Sequence, residues 1–217
     1  AQQKNKGEQK ISVGEAVKKK IIKSELQAYY LVLAKKFFNN IGFSDNAMRC
    51  RQHLEEERAH YSKKTIDFEY DYPFGRNELY GLAYRTDFDL KNHFKEPPYE
   101  HLDESSGQVE KFYPHVIEPS LGVDRSVLAV LCDAYSEEED RVVLKLQPAL
   151  APYKVAVFPL LKNKPELVKK AKEIYHNLKN PSMGSGQGFN VAFDDRGNIG
   201  KRYYSQDEIG TPFCVTV

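Results

Sequence analysis

The ten residues from Val116 to Arg125 combine the side chains best suited to bind a small charged ligand. Glu118 follows two apolar residues, and Arg125 opens the apolar stretch from Val127 to Leu131. Gly122 lies between them, and a glycine lets the backbone come close to a ligand. A carboxylate and a guanidinium suit a small zwitterion and a phosphate. The spacing predicts a strand that ends at a binding site and leads into a buried helix.

A second carboxylate, Glu78, opens a strand-like segment that runs to Leu90. Before it, Thr65–Tyr70 alternates polar and apolar residues, and Pro73-Phe74-Gly75 marks a turn. Gly81 in the middle of the second strand indicates close approach by a ligand or another backbone. The pattern therefore predicts two antiparallel strands that precede the Val116–Arg125 run.

The segment Glu118-Pro119-Ser120-Leu121-Gly122-Val123-Asp124-Arg125 resembles the third signature motif of class II aminoacyl-tRNA synthetases, in the form of the glycyl-tRNA synthetase family. Glu78–Leu90 resembles another element of that family, and Gly200–Tyr204 and Asp207–Phe213 resemble its anticodon-binding domain. The resemblance covers most of residues 45–217. It implies a mixed α+β and α/β chain, in which part of an antiparallel-sheet catalytic domain precedes a small α/β domain.

The resemblance implies ATP-dependent attachment of glycine to tRNA(Gly) through glycyl-adenylate, with Mg²⁺ and with a homodimer as the full-length enzyme. The first two motifs of the class are missing from this sequence. We therefore expect the chain to be an incomplete portion of a glycine–tRNA ligase, inactive by itself. The alternative is a non-catalytic, synthetase-derived module that binds nucleic acid or protein.

The resemblance also assigns site residues. The glycine site it implies consists of Glu78, Glu118, Pro119, Ser120, Leu121 and Gly122. The ATP site it implies consists of Glu78, Leu79, Gly122, Val123, Asp124 and Arg125. No residue is assigned a covalent catalytic role, because positioning and charge neutralisation suffice for this reaction. Alternatively, both glutamates are surface carboxylates, and Arg125 forms an ion pair with Asp124 or Asp133.

Pro148 and Pro152 mark a predicted domain boundary. Residues 1–147 form the partial catalytic domain, with the third motif at 116–131, and residues 148–217 form an anticodon-binding domain truncated at its C-terminus. Beyond the boundary the pattern predicts a βαβαβ order and a small parallel or mixed sheet. Its strands are Val155–Leu161, Phe189–Phe193 and Thr211–Val217, and its helices are one that starts at Pro165 and one over Ile199–Glu208.

The second predicted helix carries Lys201, Arg202, Tyr203 and Tyr204. Positive charge beside aromatic rings is suited to stacking on unpaired bases, so these four residues form a candidate tRNA contact. The alternative is a helix with one tyrosine in the core and its lysine and arginine in water.

Net charge, cysteine content and the length of apolar stretches limit the ligands and the compartment that we expect for the chain. The net charge of +1 over 217 residues gives no global attraction to nucleic acid, so an RNA contact must be local. Three separated cysteines fit a reducing compartment, and no apolar stretch reaches about 20 residues, so we expect a cytoplasmic protein without membrane contact. His53 and His60 lack a third ligand at a recognisable distance, and we expect no metal site. The stretch Ser182–Gly188 has a flexible, small-residue composition.

Near the N-terminus the spacing predicts a helix over residues 15–39. Its core-facing residues are expected to be Leu26, Tyr29, Tyr30, Leu33 and Phe37.

Overall fold

The computed structural model describes residues 10–22, 24–44, 46–180 and 188–217. Six of the seven residues of the Ser182–Gly188 stretch lie outside the described residues. The helices are α1 (Val13–Lys18), α2 (Glu25–Asn40), α3 (Phe88–His93), α4 (Val123–Ala134), α5 (Pro165–Lys179) and α6 (Ile199–Glu208). The strands are β1 (Met48–Gln52), β2 (Lys64–Tyr72), β3 (Gly75–Thr86), β4 (Tyr99–Leu102), β5 (Val109–Phe112), β6 (Val116–Leu121), β7 (Tyr135–Glu138), β8 (Arg141–Leu144), β9 (Val155–Phe158), β10 (Val191–Phe193) and β11 (Phe213–Thr216).

The chain divides into two compact units, one of residues 1–39 and 44–126 and the other of residues 40–43 and 127–217. Among the described residues, no helix is both long and apolar enough to span a membrane.

The first unit is built on a four-stranded antiparallel sheet with the order β1-β2-β3-β6. β2 and β3 form the predicted hairpin, and Gly75 at its turn has a φ of +110°, a conformation that favours glycine. The motif strand β6 pairs with β3, so the second of the two predicted strands lies beside the predicted binding segment. A separate hairpin of β4 and β5 follows α3.

The two faces of this sheet differ in character because side chains alternate along each strand. One face is apolar and contributes the buried residues Ile66, Phe68, Tyr70, Tyr80 and Leu82. Helix α2 packs there, with the rings of Phe38 and Tyr80 in an edge-to-face contact at 6.5 Å. The other face carries Asp67, Gly81 and Ser120, which are register partners on three successive strands.

The predicted N-terminal helix differs from the observed one in length and in its buried face. α1 and α2 are separate helices, and Lys20, which lies between them, has a positive φ of 57°. The buried residues of α2 are Gln27, Ala28, Leu31, Ala34 and Phe38. The expected core residues Leu26, Tyr29, Leu33 and Phe37 are exposed instead. The helix has apolar residues on two sides, so periodicity alone chose the wrong stripe.

The second unit contains a three-stranded parallel sheet with the order β10-β9-β11 and a two-stranded ribbon of β7 and β8. Helix α5 begins at Pro165, where the missing N–H costs no helical hydrogen bond. Helix α6 begins after Asn198, whose side chain accepts from the Lys201 N–H. The core of this sheet centres on Val157, Ala171 and Val191. The predicted alternation of strands and helices is confirmed, with shorter strands than expected.

Candidate functional site

The polar face of the first sheet brings three oxygen-bearing side chains to one point. Asp67 on β2 lies opposite Gly81 on β3, and Gly81 lies opposite Ser120 on β6. A Cβ added to Gly81 would lie 3.0 Å from Glu78 Oε1, 3.5 Å from Asp67 Oδ1 and 3.6 Å from Ser120 Oγ. The absent side chain of Gly81 therefore leaves a small space surrounded by two carboxylates and a hydroxyl.

A register shift in β3 places Glu78 in this group. Phe68 pairs with Tyr80 and Glu69 pairs with Glu78, so Leu79 has no partner residue on β2. Such a bulge bends a strand and redirects its side chains. Leu79 is buried, and the Glu78 side chain is about half exposed, at 49%. The bulge thus leaves a half-exposed carboxylate above the Gly81 backbone.

Arg125 lies in the first turn of α4, close to Glu78. Its Nη1 donates to the Glu78 main-chain oxygen at 3.0 Å and lies 3.6 Å from Glu78 Oε2. The alternative ion pair with Asp124 or Asp133 is therefore replaced by one with Glu78. The Arg125 side chain is 57% exposed, so several guanidinium donors are left for another group. Ser126 holds the start of the helix by donating through its Oγ to the Gly122 oxygen at 2.9 Å.

Glu118 occupies the next position on the same face of β6, opposite Ala83. Its Oε2 accepts from Arg85 Nη1 at 2.7 Å, and Arg85 also donates twice to Asp89 at 2.7 Å. The hydrogen bonds to Asp89, and then to Glu118, raise the pKa of Arg85 above its ordinary value. The Tyr61 ring lies 3.8 Å from the Arg85 guanidinium carbon. Glu118 is thus held by a permanently charged arginine.

The predicted site residues fall into two groups. The structure brings Glu78, Ser120 and Arg125 together, with Glu118 one step farther along β6. Leu79 is buried and contributes only its backbone, whereas the remaining members of the predicted set are exposed. These exposed members are Pro119, Leu121, Gly122, Val123 and Asp124.

Sequence reasoning missed Arg85 and Asp67. The i, i+4 spacing of Arg85 and Asp89 signals an ion pair, but its link to Glu118 depends on tertiary pairing. The alternation of Thr65–Tyr70 puts Asp67 on the polar side of its strand. Only the strand register reveals that this side faces Gly81 and Ser120.

In the second unit, Arg202 is only 2% exposed, and its guanidinium donates to main-chain oxygens of four residues. These residues are Pro159, Asp195, Arg196 and Gly197. No face of the guanidinium is left for a base or a phosphate. We therefore correct the predicted RNA surface: Arg202 is a structural residue that ties α6 to the loops before it and after β9.

The other three members of that set lie nearer the surface. Lys201 is exposed, and Tyr203 Oη pairs with Thr216 Oγ1 at 2.8 Å while its ring meets Phe158 edge-on. Tyr204 Oη donates to Asp140. The hydrogen bond to Asp140 raises the pKa of Tyr204. Lys201 is therefore the residue of this set with the least engaged side chain.

Over the described ranges, no group of three or more histidine, cysteine, aspartate or glutamate side chains has the arrangement of a metal site. His53 contacts Asp67 through its Nε2, and His60 stacks edge-on with Tyr61 and Phe88.

Comparison with known proteins gives the family context. Residues 154–217 match the family model described as an anticodon binding domain. The chain is 47% identical over 193 residues to glycine–tRNA ligase of Alkaliphilus oremlandii and 46% identical over 198 residues to that of Bacillus cereus. Both matches cover 87% of this chain, and the chain spans about 40% of the length of these relatives.

The fold is shared with a solved synthetase structure. Prolyl-tRNA synthetase of Giardia lamblia in complex with prolyl-adenylate matches with a TM-score of 0.62 and 17% identity, over 94% of this chain and 38% of that one. This likeness confirms the predicted fold class, and the curated relatives confirm the predicted resemblance. The chain is therefore similar to the glycine–tRNA ligases over part of their length, shares its fold with an aminoacyl-tRNA synthetase, and matches an anticodon-binding domain at residues 154–217.

Proposed function

We propose that this chain supplies part of the glycine and ATP site of a class II glycine–tRNA ligase. One observation carries the proposal: Glu78 Oε1 and Ser120 Oγ converge on the position that a Cβ of Gly81 would occupy, beside a partly free Arg125. Carboxylate and hydroxyl oxygens are suited to an ammonium group, and an arginine is suited to a phosphate. Glycine and a nucleoside triphosphate would therefore bind next to each other at the junction of β3, β6 and α4.

Glycine offers only its ammonium, its carboxylate and the lack of a side chain for recognition. The proposed ammonium partners are Glu78, Glu118 and Ser120, and the backbone from Pro119 to Gly122 lines the rest of the space. Attraction to one methylene is worth only about 1–3 kcal/mol, so rejection of alanine requires a space too small for its methyl group. The close approach of three oxygens over Gly81 is consistent with such a space.

For ATP, we propose that Arg125 leaves the Glu78 carbonyl and pairs with the terminal phosphate. Its planar fork matches phosphate oxygens better than a lysine would. The Val123 and Asp124 amides in the first turn of α4 and the backbone of Leu79 and Gly122 complete the proposed site. The start of a 12-residue helix favours an anion because its first amides lack helical acceptors.

The proposed reaction has two steps. A carboxylate oxygen of glycine attacks the α-phosphorus of ATP, pyrophosphate leaves, and glycyl-adenylate forms. A hydroxyl of the terminal tRNA ribose then attacks the glycyl carbonyl, and AMP leaves. These residues orient the reactants and balance their charge. Mg²⁺ usually binds through substrate phosphates and one or two carboxylates, so the nearby acidic side chains suffice to receive it with ATP.

We assign tRNA(Gly) contact to the second unit. Lys201 offers an exposed charge, and Tyr203 and Tyr204 offer rings beside it. We keep the proposed domain division at residues 147 and 148, with the catalytic portion first. The full-length protein is proposed to be a cytoplasmic homodimer without membrane contact.

The test is ATP–pyrophosphate exchange by the full-length protein with glycine, alanine or serine, repeated with Glu118→Ala. We expect exchange with glycine alone, and at least a 100-fold loss in the variant, because Arg85 is then left without one of its two carboxylates and the ammonium without one of its proposed partners. No exchange with any of the three amino acids would favour a non-catalytic binding module.

A further inference from the structure

We propose that Asp67 is a further specificity-determining residue, which binds the ammonium group of the substrate together with Glu78 and Ser120. This inference rests on the proposed function and deepens it. Asp67 lies on β2, so it approaches Gly81 from the side opposite to Ser120 on β6. With Glu78 on the same strand as Gly81, oxygens from three strands surround one space.

Three oxygens gather above Gly81. They are Glu78 Oε1, Asp67 Oδ1 and Ser120 Oγ, and they lie 3.0, 3.5 and 3.6 Å from the point that a Cβ of Gly81 would occupy. That point is too close to the Gly81 Cα for a ligand atom, so an ammonium would lie farther out, between the oxygens. A primary ammonium has three N–H donors, which these oxygens and Glu118 can accept. A hydroxyl has one donor and would leave more of the oxygens without one.

Burial gives Asp67 a stronger need for a cation than its two neighbours have. Asp67 is only 5% exposed, whereas the Glu78 side chain is about half exposed. Its Oδ2 contacts His53 Nε2, and its Oδ1 accepts no hydrogen bond from any residue that the structure describes. A charge-assisted hydrogen bond from a cation would satisfy the remaining oxygen. The free oxygen is the one that faces Gly81.

His53 holds Asp67 in place. Its Nε2 contacts Asp67 Oδ2, and its Nδ1 is buried without a hydrogen-bond partner among the described residues. The contact occupies one carboxylate oxygen of Asp67 and leaves Oδ1 on the side of Gly81.

The experiment measures pyrophosphate exchange by the full-length protein and its Asp67→Asn variant, with glycolate as a competitor of glycine. Glycolate has a hydroxyl in place of the ammonium. We expect the variant to raise the KM for glycine about tenfold or more and the KM for ATP less than twofold. The ratio of the glycolate inhibition constant to the glycine KM should fall by at least fivefold, because the lost interaction is specific to the charged group.

Two further variants make the result decisive. Asp71→Asn removes an exposed carboxylate from the same strand, where it pairs with Arg49 and Arg76, and should leave both KM values unchanged. His53→Gln keeps the charge of Asp67 but loosens its orientation, and should lower the same ratio by about twofold. If Asp67→Asn does not fold, the ratio of the glycolate inhibition constant to the glycine KM in His53→Gln tests the inference instead.

An unchanged ratio in Asp67→Asn, or in His53→Gln when the first variant is unfolded, overturns the inference while wild-type exchange keeps the proposed function. Equal weakening of glycine and glycolate also overturns it, since that result indicates a general loss of structure. Failure of the wild-type protein to support glycine-dependent exchange overturns the proposed function, and this inference with it.

Discussion

Arg125 in the first unit and Arg202 in the second were both expected to contact a phosphate or a base, but the structure gives the two guanidinium groups different surroundings. Arg125 is more than half exposed and uses one nitrogen on the Glu78 carbonyl and carboxylate. Arg202 is buried, and all three guanidinium nitrogens donate to main-chain oxygens. A guanidinium that the backbone has already satisfied stabilises the fold, and one with spare donors is available to a ligand.

The largest expected effect is on the stability of the second unit. Arg202→Ala should lower its free energy of unfolding by about 3 kcal/mol or more, because hydrogen bonds from a charged group are each worth about 1.5–3 kcal/mol and several buried carbonyls would be left unpaired. The measurement is hydrogen exchange of the amides of β9 in the full chain. Arg196→Ala is the control: that side chain is 87% exposed, and the effect should stay below about 0.5 kcal/mol. Equal effects in the two variants would erase the contrast between a buried arginine bound to the backbone and an exposed arginine paired with a carboxylate.

Arg125→Ala should act on catalysis and leave stability alone. We expect the kcat/KM for ATP in pyrophosphate exchange to fall about 100-fold, or about 2.7 kcal/mol, with the melting temperature unchanged. Arg125→Lys should recover only part of the loss, because lysine cannot reproduce the planar fork. A large drop in melting temperature would instead make Arg125 a structural residue like Arg202.

A matched pair of glycine substitutions extends the comparison. Gly81→Ala would place a methyl group among three oxygens of the site, and should raise the KM for glycine about tenfold, or about 1.4 kcal/mol. Gly200→Ala, in α6, meets only Asn198 Oδ1 at 3.7 Å. It should stabilise the second unit by about 0.4–1 kcal/mol and leave exchange unchanged. The pair is read by kinetics and thermal melting, and an unchanged KM for glycine in Gly81→Ala would contradict a ligand above Gly81.

The smallest expected effect is a difference between the two units in how their stability depends on pH. Hydrogen bonds from Arg85 lower the pKa of Asp89 below its ordinary value of 3.8. Asp89 therefore stabilises the fold fully above that ordinary value, and its contribution is lost as the pH falls through the lowered one. The melting-temperature difference between wild type and Asp89→Asn should be present at pH 7 and diminish as the pH falls below that ordinary value. The contacts of Arg202 are to carbonyls, which do not titrate, so an Arg202→Ala difference should persist at low pH.

Elements with strong local signals were predictable from the sequence. Pro165 marks the start of α5, and the predicted helix over Ile199–Glu208 is confirmed at both ends. The prediction of the buried face of α2 was wrong because that helix has two apolar faces, and only tertiary packing determines which one is buried.

The candidate site was only partly predictable, because its contacts also depend on tertiary structure. Glu78 and Arg125 are recognisable from their motifs, but their contact depends on a bulge that sequence patterns do not reveal. Asp67 sits in an ordinary alternating strand, where a surface carboxylate is the simplest interpretation. Its proximity to Gly81 arises from pairing between distant strands, so no local pattern could identify it.

The row Asp67, Gly81 and Ser120 also links recognition to the way the chain folds. A slip of β3 by one residue against its neighbours would turn Gly81 toward the apolar face and Leu82 toward solvent. The register that buries Leu82 is thus the same register that assembles the oxygens above Gly81. A mispaired sheet would lose its core and the proposed ligand site together, so under the proposed function the binding of a small ammonium compound would report on correct pairing of β2, β3 and β6.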